Sequence, residues 1–453
     1  MTISLIQKYN VPGPRYTSYP TVPYWDQETF KRNLWIDSFK KAFRESNANE
    51  GISIYIHLPF CESLCTFCGC HKRITKRHEV EQPYIQALLK EWELYCNEFD
   101  ETPIIKEIHL GGGTPTFFST EHLTMLINGI TSKAKIADNH EFSFEGHPNN
   151  TTKGHLQTLY NLGFRRVSFG VQDYNPEVQK AIHRIQSFHD VARVTVWAKE
   201  IGYTSISHDI IYGLPFQKLE HIIDTIEKTK SLSPDRLAFY SYAHVPWIKG
   251  SGQRGFKDSD VPKDDEKRLL YEKGKELLLK NDYVEIGMDH FSLKSDSLYK
   301  SLNNGNIHRN FMGYTSSKTM LMVGLGVSSI SDSWYAFAQN EKDIEKYYQL
   351  LDQNTIPVVK GHILNEEDLI IRKHILNLMC SLSTDLTEDL DKVDFSTTLS
   401  EMKEFESDKL IEVKGNTIKI TRKGRAFVRN ICMAFDLRLQ ANKPDRQLFS
   451  MTI

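Results

Sequence analysis

Four of the seven cysteines lie within ten residues, in the run HLPFCESLCTFCGCHKR, and three of them, Cys61, Cys65 and Cys68, are spaced C-x3-C-x2-C. Thiolates are good ligands for iron–sulfur clusters, and a loop this short lets three converge on one [4Fe-4S] cube. Three protein ligands leave the fourth iron open to a small molecule. The competing assignment is a zinc ion with a fourth ligand from Cys70 or His71. Structural zinc motifs commonly pair two short Cys or His elements, however, and no second element is visible in the sequence. Cys70 is therefore read as a non-ligand. Cys96, Cys380 and Cys432 are scattered, unlike a disulfide scaffold, so the cluster of four points to a metal or redox site in a reducing compartment, the cytoplasm.

Such a loop needs a scaffold. β-rich runs at residues 52–56, 104–110, 141–145, 166–170, 205–211 and 236–242 alternate with helical spacing at 84–95, 121–130, 187–201 and 219–231. Six strands separated by helices predict an α/β fold with a parallel sheet and right-handed crossovers. The sheet either curls into a partial (β/α)6 barrel or lies open and doubly wound, with ligands at the carboxyl ends of the strands. The cysteine loop directly follows the first strand. GGGTPT at 111–116 follows the second, where glycines permit close backbone approach; an isolated triple glycine would read as an ordinary turn, but this position favours a ligand site. Glu145 ends the third strand, and Gln172, Arg184 and Asp209 fall just after or within the following ones. Polar residues recurring at successive strand ends point to one pocket rather than to unrelated surface groups.

The whole chain sets limits. Its 453 residues exceed the size of one ordinary core, so a large domain and a smaller one are expected. With 56 basic and 58 acidic side chains the formal charge is -2, which offers no broad field for nucleic acid or anionic membrane. Residues 1–10 carry no apolar signal segment, and no stretch approaches the roughly 20 apolar residues of a membrane span. Residues 9–25, YNVPGPRYTSYPTVPYW, hold four prolines and five aromatics without helical or strand period, and are expected to form an extended arm over the main domain. The polar stretch 249–263 and a strand at 283–288 extend that domain. From residue 365 onward the pattern becomes helices, a hairpin at 410–413 and 417–421, and a helix from Lys423, which resembles a winged-helix module. The expected division is 1–50 as arm and lead-in, 51–364 as the catalytic domain and 365–453 as a mainly helical C-terminal domain.

The cysteine loop after a first strand resembles the signature of the radical S-adenosylmethionine (SAM) superfamily, and within it the chain resembles the oxygen-independent coproporphyrinogen III oxidases. The resemblance runs from YNVPGPRYTSYPT at 9–21 to KGRAFVRNICMAFD at 423–436. Between them lie GVQDYN at 170–175, DIIYGLP at 209–215, YAHVP at 242–246, GMDHF at 287–291 and HRNFMGYT at 308–315. It implies a (β/α)6 radical SAM barrel that decarboxylates two propionates of coproporphyrinogen III, using a cluster on Cys61, Cys65 and Cys68 and two SAM molecules. A reducing partner such as flavodoxin or ferredoxin is implied, and a monomer is expected. By the same resemblance Tyr55, Phe67, Gly112, Gly113, Thr114, Glu145, Gln172, Arg184, Asp209, Ala243 and Ile330 contact SAM, with Tyr55, Glu145 and Arg184 as catalytic residues. Two departures stand out. Met312 occupies a position that is typically glutamine and associated with the second SAM, and a thioether lacks an amide's paired donor and acceptor. The loop after Glu145 reads GHPNN where the family commonly has a hydrophobic residue followed by Asp-Pro. The substrate's four carboxylates need cations, for which Arg15 and Arg309 are candidates. Related haem chaperones and haem-opening methyltransferases are the competing functions, but the chaperones typically lack both the PGPRYTSYP arm and the last cysteine of CGC.

Overall fold

The computed structural model describes residues 4–246, 252–253 and 255–452. Helix α1 (Arg32–Ser46) leads into six strands, β1 (Ile52–Leu58), β2 (Ile104–Gly112), β3 (Lys135–Gly146), β4 (Phe164–Gln172), β5 (Ser205–Tyr212) and β6 (Arg236–Ser241). They lie side by side in chain order and pair in parallel. Each contains the run expected from the sequence, except that Tyr242 falls beyond β6. Because the order never reverses, every right-handed crossover places its helix on the same face of the sheet. A doubly wound sheet would reverse order at a switch point. The arrangement is therefore the partial (β/α)6 barrel.

The crossover helices are α2 (Glu81–Cys96), α3 (Thr120–Thr131), α4 (Lys153–Asn161), α5 (Phe188–Ile201) and α6 (Leu219–Leu232). Their ends are written locally. At α5, Ser187 and Asp190 form a capping box, and Gly202 closes the helix with φ 107°. Strand residues sort by a period of two. Ile52, Ile54, Ile56, Ile108, Leu110, Phe142, Phe144, Val167 and Phe169 enter the core under the helices. The alternate positions are polar and bond to each other across the inner face, as in His109–Ser143 at 2.8 Å and Ser168–Asp209 at 3.0 Å.

The sheet continues on both sides to twelve strands. After α7 (Asp264–Lys280), the antiparallel pair β7 (Tyr283–Gly287) and β8 (His290–Leu293) joins β6. On the other side β9 (Leu321–Leu325) joins β1 in parallel, followed by β10 (Ile330–Asp332), β11 (Ala336–Asn340) and β12 (Val358–Ile363), all antiparallel. Of the polar stretch 249–263, residues 249–251 and 254 lie outside the described residues; Asp258–Asp260 forms a short 3-10 turn.

After α8 (Ile344–Asp352), a second core is built from α9 (Glu366–Ser381), β13 (Ser383–Asp385), α10 (Ser396–Ser407), the hairpin β14 (Ile411–Lys414) and β15 (Thr417–Ile420), and α11 (Val428–Met433). The arm is shared between the two cores. Trp25 stacks on Phe337 of β11, with ring centroids 5.6 Å apart. Tyr9, Tyr16 and Tyr19 instead complete the second core beside Phe405, Phe427 and Ile431. No helix among the described residues is long and apolar enough to cross a membrane.

One buried carboxyl braces the barrel. Glu91 of α2 accepts from Tyr347 Oη at 2.6 Å, Asn340 Nδ2 at 2.6 Å and the Gly326 amide at 2.8 Å, fixing the turn that leads from β9 to β10. Burial pushes its pKa up to about 7 despite these donors. A carboxyl whose folded pKa is raised stabilises the fold most at low pH and loses that contribution as pH climbs through the folded value. Glu91→Leu strands three donors and is expected to cost about 3 kcal/mol in urea unfolding. The same variant should lack the decline in stability that the wild type shows between about pH 5 and about pH 7.

Candidate active site

The cysteine loop is tied down on both flanks by main-chain bonds. Gly113 N donates to Leu58 O at 2.8 Å and Thr114 N to Phe60 O at 3.0 Å, so the chain leaving β2 runs along the loop's base. On the other flank Arg73 N donates to Pro59 O at 2.8 Å and Thr75 N to Cys61 O at 2.9 Å. This contact accounts for the glycines. Gly112 has φ 110°, a Cβ there would lie 2.7 Å from the His57 ring, and one at Gly113 would lie 2.6 Å from the Pro59 carbonyl carbon. The glycines therefore serve the loop's own packing, in addition to any ligand. Lys72 Nζ gathers the far side, donating to Cys68 O at 3.0 Å and Cys70 O at 3.3 Å.

The three thiols open onto a cavity of about 410 Å3, a size suited to a small-molecule site. Phe67, Gly112, Gly113, Thr114, Glu145, Gln172, Arg184 and Asp209 line it with Cys61, Cys65 and Cys68. Gln172 reaches it by a backbone device: the β4–β5 register slips between Gly170 and Gln172, and Gln172 takes φ 64°. A bulge at a strand end with a left-handed non-glycine residue re-aims a side chain at the cost of local strain. Tyr55, Ala243 and Ile330 are not among the lining residues. Tyr55 stands on β1 with its ring stacked near His109; Ala243 lies just past β6, its carbonyl bonded to Gln253 Nε2 at 2.8 Å; Ile330 opens β10 and packs near Trp25 and Phe337.

Electrostatics differ sharply around the cavity. Burial first, then the charge of Glu145, push Asp209 up to about 7 against the bond from Ser168. Burial pushes the Cys61 thiol up to about 11, opposed by Thr114 Oγ1 at 3.4 Å. A hydrogen bond from Cys70 lowers Cys68 and raises Cys70 itself. Arg184 is anchored by Gly170 O at 2.9 Å and reaches Cys65 Sγ with Nη1 at 3.9 Å, which sets a cation beside a prospective thiolate ligand. Burial pushes His57 down to about 4, so its ring is neutral. His57 Nε2 bonds the His71 carbonyl at 2.8 Å, which can only accept; Nδ1 is then the acceptor, and the Tyr55 hydroxyl at 3.1 Å donates to it.

Sequence reasoning missed several of these groups. His57 gives no motif signal of its own, since its role depends on carbonyls brought together by folding. His147, Asn149 and Asn150 of the unusual GHPNN loop also line the cavity, and burial pushes His147 down to about 2. Their position directly after β3 was the available signal. Three thiols facing one cavity fit a cube, which binds each ligand through a different iron.

The radical SAM superfamily profile matches residues 55–229. The oxygen-independent coproporphyrinogen III oxidase of Helicobacter pylori is 39% identical over 96% of each chain. That of Synechocystis is 36% identical over 99% of this chain and 97% of its own. The solved structure of coproporphyrinogen III oxidase from Escherichia coli, described as a radical SAM enzyme, has 33% identity and a TM-score of 0.87, covering 93% of this chain and 97% of that one. Identity of this level sustained along nearly the whole length, on the same architecture, means that this chain belongs to the oxygen-independent coproporphyrinogen III oxidase family.

Proposed function

We propose that this protein is a cytoplasmic, monomeric oxidoreductase that converts two propionate side chains of coproporphyrinogen III to vinyl groups, yielding protoporphyrinogen IX in haem biosynthesis. The observation that carries this reading is the loop of three cysteines opening onto a polar cavity, in a chain that matches such oxidases nearly end to end. Residues 51–364 hold the catalytic machinery and 365–453 form the C-terminal unit that packs with the arm. Cys61, Cys65 and Cys68 would hold the [4Fe-4S] cluster. Gly112, Gly113, Thr114, Glu145, Gln172, Arg184 and Asp209 would contact SAM, with Tyr55, Phe67, Ala243 and Ile330 as further contacts.

A [4Fe-4S] cluster and SAM held here, with a flavodoxin or ferredoxin as electron donor, would supply hydrogen-atom abstraction at the propionate β-carbon, and loss of CO2 with transfer of one electron to an external acceptor would leave the vinyl group. The chain's own residues bind and orient. Glu145, half-exposed at the cavity wall, can accept hydrogen bonds from ribose hydroxyls or an amino group. Arg184 is held by Gly170 and Gln186 so that its remaining nitrogen faces the Cys65 sulfur. Tyr55, donating to neutral His57, keeps its oxygen lone pairs toward other partners. A second SAM is proposed near the hairpin 308–315, where Met312 stands at a tight turn with its amide bonded to Asn310 Oδ1 at 2.9 Å. The haem-chaperone and methyltransferase readings have no observation in their favour here.

Three outcomes are expected. Anaerobically reconstituted protein, given coproporphyrinogen III, SAM and an electron donor, should release CO2 and form protoporphyrinogen; stable haem binding without turnover, or ring-opened haem in a parallel incubation, would sink the assignment. Alanine at Cys61, Cys65 or Cys68 should abolish the cubane absorption and paramagnetic signals, whereas Cys70→Ala should retain them. Met312→Gln should tighten the weaker of two SAM binding events in equilibrium dialysis, by about ten-fold if an amide regains a paired hydrogen bond.

A further inference from the structure

Beneath the arm, positive charge outruns negative. Arg15, Lys267, Arg309 and Arg429 meet there, and electrostatic coupling links them through Asp289, Tyr240 and Tyr212. Among the described residues only Arg15 of these four has a carboxylate partner, Asp289. Lys267 Nζ donates to Tyr242 O at 3.0 Å. Arg309 donates to Tyr16 O at 3.4 Å and Arg15 O at 3.2 Å, and its Nη1 has no hydrogen-bond partner although the residue is only 4% exposed. Arg429 donates to the carbonyls of Pro14 at 2.9 Å, Met451 at 2.8 Å and Gly13. Of the other carboxylates by the arm, Asp436 is engaged by the Tyr16 hydroxyl at 3.0 Å, Asp408 by Lys8 and Tyr9 at 2.6 Å, and Asp264 by Asn10 Nδ2 at 3.4 Å.

Carbonyl oxygens satisfy hydrogen-bonding capacity but do not cancel a full charge, and buried cations without counter-charge are costly. The protein registers that cost. Burial and the charge of Arg15 push Arg429 down to about 10, and burial and the charge of Arg429 push Lys267 down to about 8. The place is also reachable. A cavity of about 50 Å3 is lined by Arg15, Arg268, Arg425 and Arg429 with Glu285 and Asp289, and a neighbouring one of about 230 Å3 by Lys263 and Lys267 with Asp264.

Register ties this place to the cysteine cavity. The Arg15 guanidinium lies over the Tyr240 ring, 5.7 Å from its centroid. Tyr240 pairs with Ile211, two residues beyond Asp209 and so on the same face of β5. Arg15 thus sits beside a ring on the same face of the sheet as Asp209 of the cysteine cavity, and Arg429 shares a cavity with Arg15. We infer that Arg15, Lys267, Arg309 and Arg429 form a seat for carboxylates of the tetrapyrrole other than the one reacting, so that the macrocycle is held by its far side while a propionate points to the cysteine cavity. This inference rests on the decarboxylase reading and adds to it the residues that recognise the substrate's charge.

The test uses ligand binding rather than turnover. Coproporphyrin III, a stable oxidised form of the macrocycle, and its tetramethyl ester are titrated in one detergent-containing buffer against wild type, Arg15→Gln, Lys267→Met and Arg15→Lys, following porphyrin fluorescence. Wild type should prefer the free acid; each neutral variant should lose about ten-fold in affinity for the acid and little for the ester, and Arg15→Lys should keep most of the preference. Equal affinity of wild type for acid and ester, or unchanged acid affinity in both neutral variants, overturns the seat. If a neutral variant fails to fold, the wild-type ratio of acid to ester still decides. A wild type that shows the acid preference yet forms no protoporphyrinogen in the anaerobic assay would instead count against the decarboxylase reading and leave the seat standing.

Discussion

The structure turns on a short cysteine loop that must hold three thiols open to a cavity without collapsing onto its own core. Such a loop has unpaired main-chain groups, and buried ones need partners. The partners come from two places at once: the chain leaving β2 on one side and residues 73–75 on the other. Each approach is close enough to dictate sequence. Gly112 and Gly113 have no room for a side chain, and the His57 ring that would collide with one at Gly112 is itself fixed by the His71 carbonyl. Glycine run, histidine and cysteines therefore form one unit, and the geometry at the thiols is set by backbone bonds several residues away.

The winding of the sheet determines what that unit faces. Strands laid down in chain order send all crossover helices to one side, so the inner side stays free of helices and can carry polar residues at alternate positions. Those residues pair across strands, Arg166 with Glu141 at 2.7 Å and Ser53 with Glu107 at 3.1 Å toward the amino ends of the strands. Toward the carboxyl ends the pairing thins. Glu145, Gln172, Arg184 and Asp209 are left facing the cavity, and burial, with the charge of Glu145, pushes Asp209 well above the usual carboxylate range. The difference between the two ends separates a polar core that is structural from one that is available to ligands.

Much of this could be read from the residues. The six parallel strands follow from local alternation, and the cysteine spacing carries its chemistry without help from distant parts of the chain. What could not be read depends on long-range pairing. The strands β9 to β12 are three to six residues long and gain their identity only by adding to the edge beside β1. His57 and the GHPNN loop matter because folding brings them to the cysteine loop, not because of their spacing. The arm's tyrosines gave aromatic content but not destination; Tyr16 and Tyr19 are buried against a core some four hundred residues later in the sequence. Tyr55, Ala243 and Ile330, singled out through family resemblance, stand around the barrel rather than on the cavity wall at the cysteines.

The arm is also bonded along its first residues to the C-terminal unit. Residues 11–13 pair with 450–452 through the Pro12–Met451 bridge and the bonds Gly13 N to Ser450 O at 3.1 Å and Thr452 N to Val11 O at 2.8 Å. Arg429 holds carbonyls from both strands of this pairing, and Asn430 holds Tyr9 O at 2.8 Å. Further out, Lys8 and Tyr9 both bind Asp408 at 2.6 Å. Displacing the arm alone would break all of these contacts and expose Tyr9, Tyr16 and Tyr19 together. The second core is therefore complete only with the arm in place, and the arm's contacts with Asp289, Phe337 and Arg309 carry that core onto the barrel.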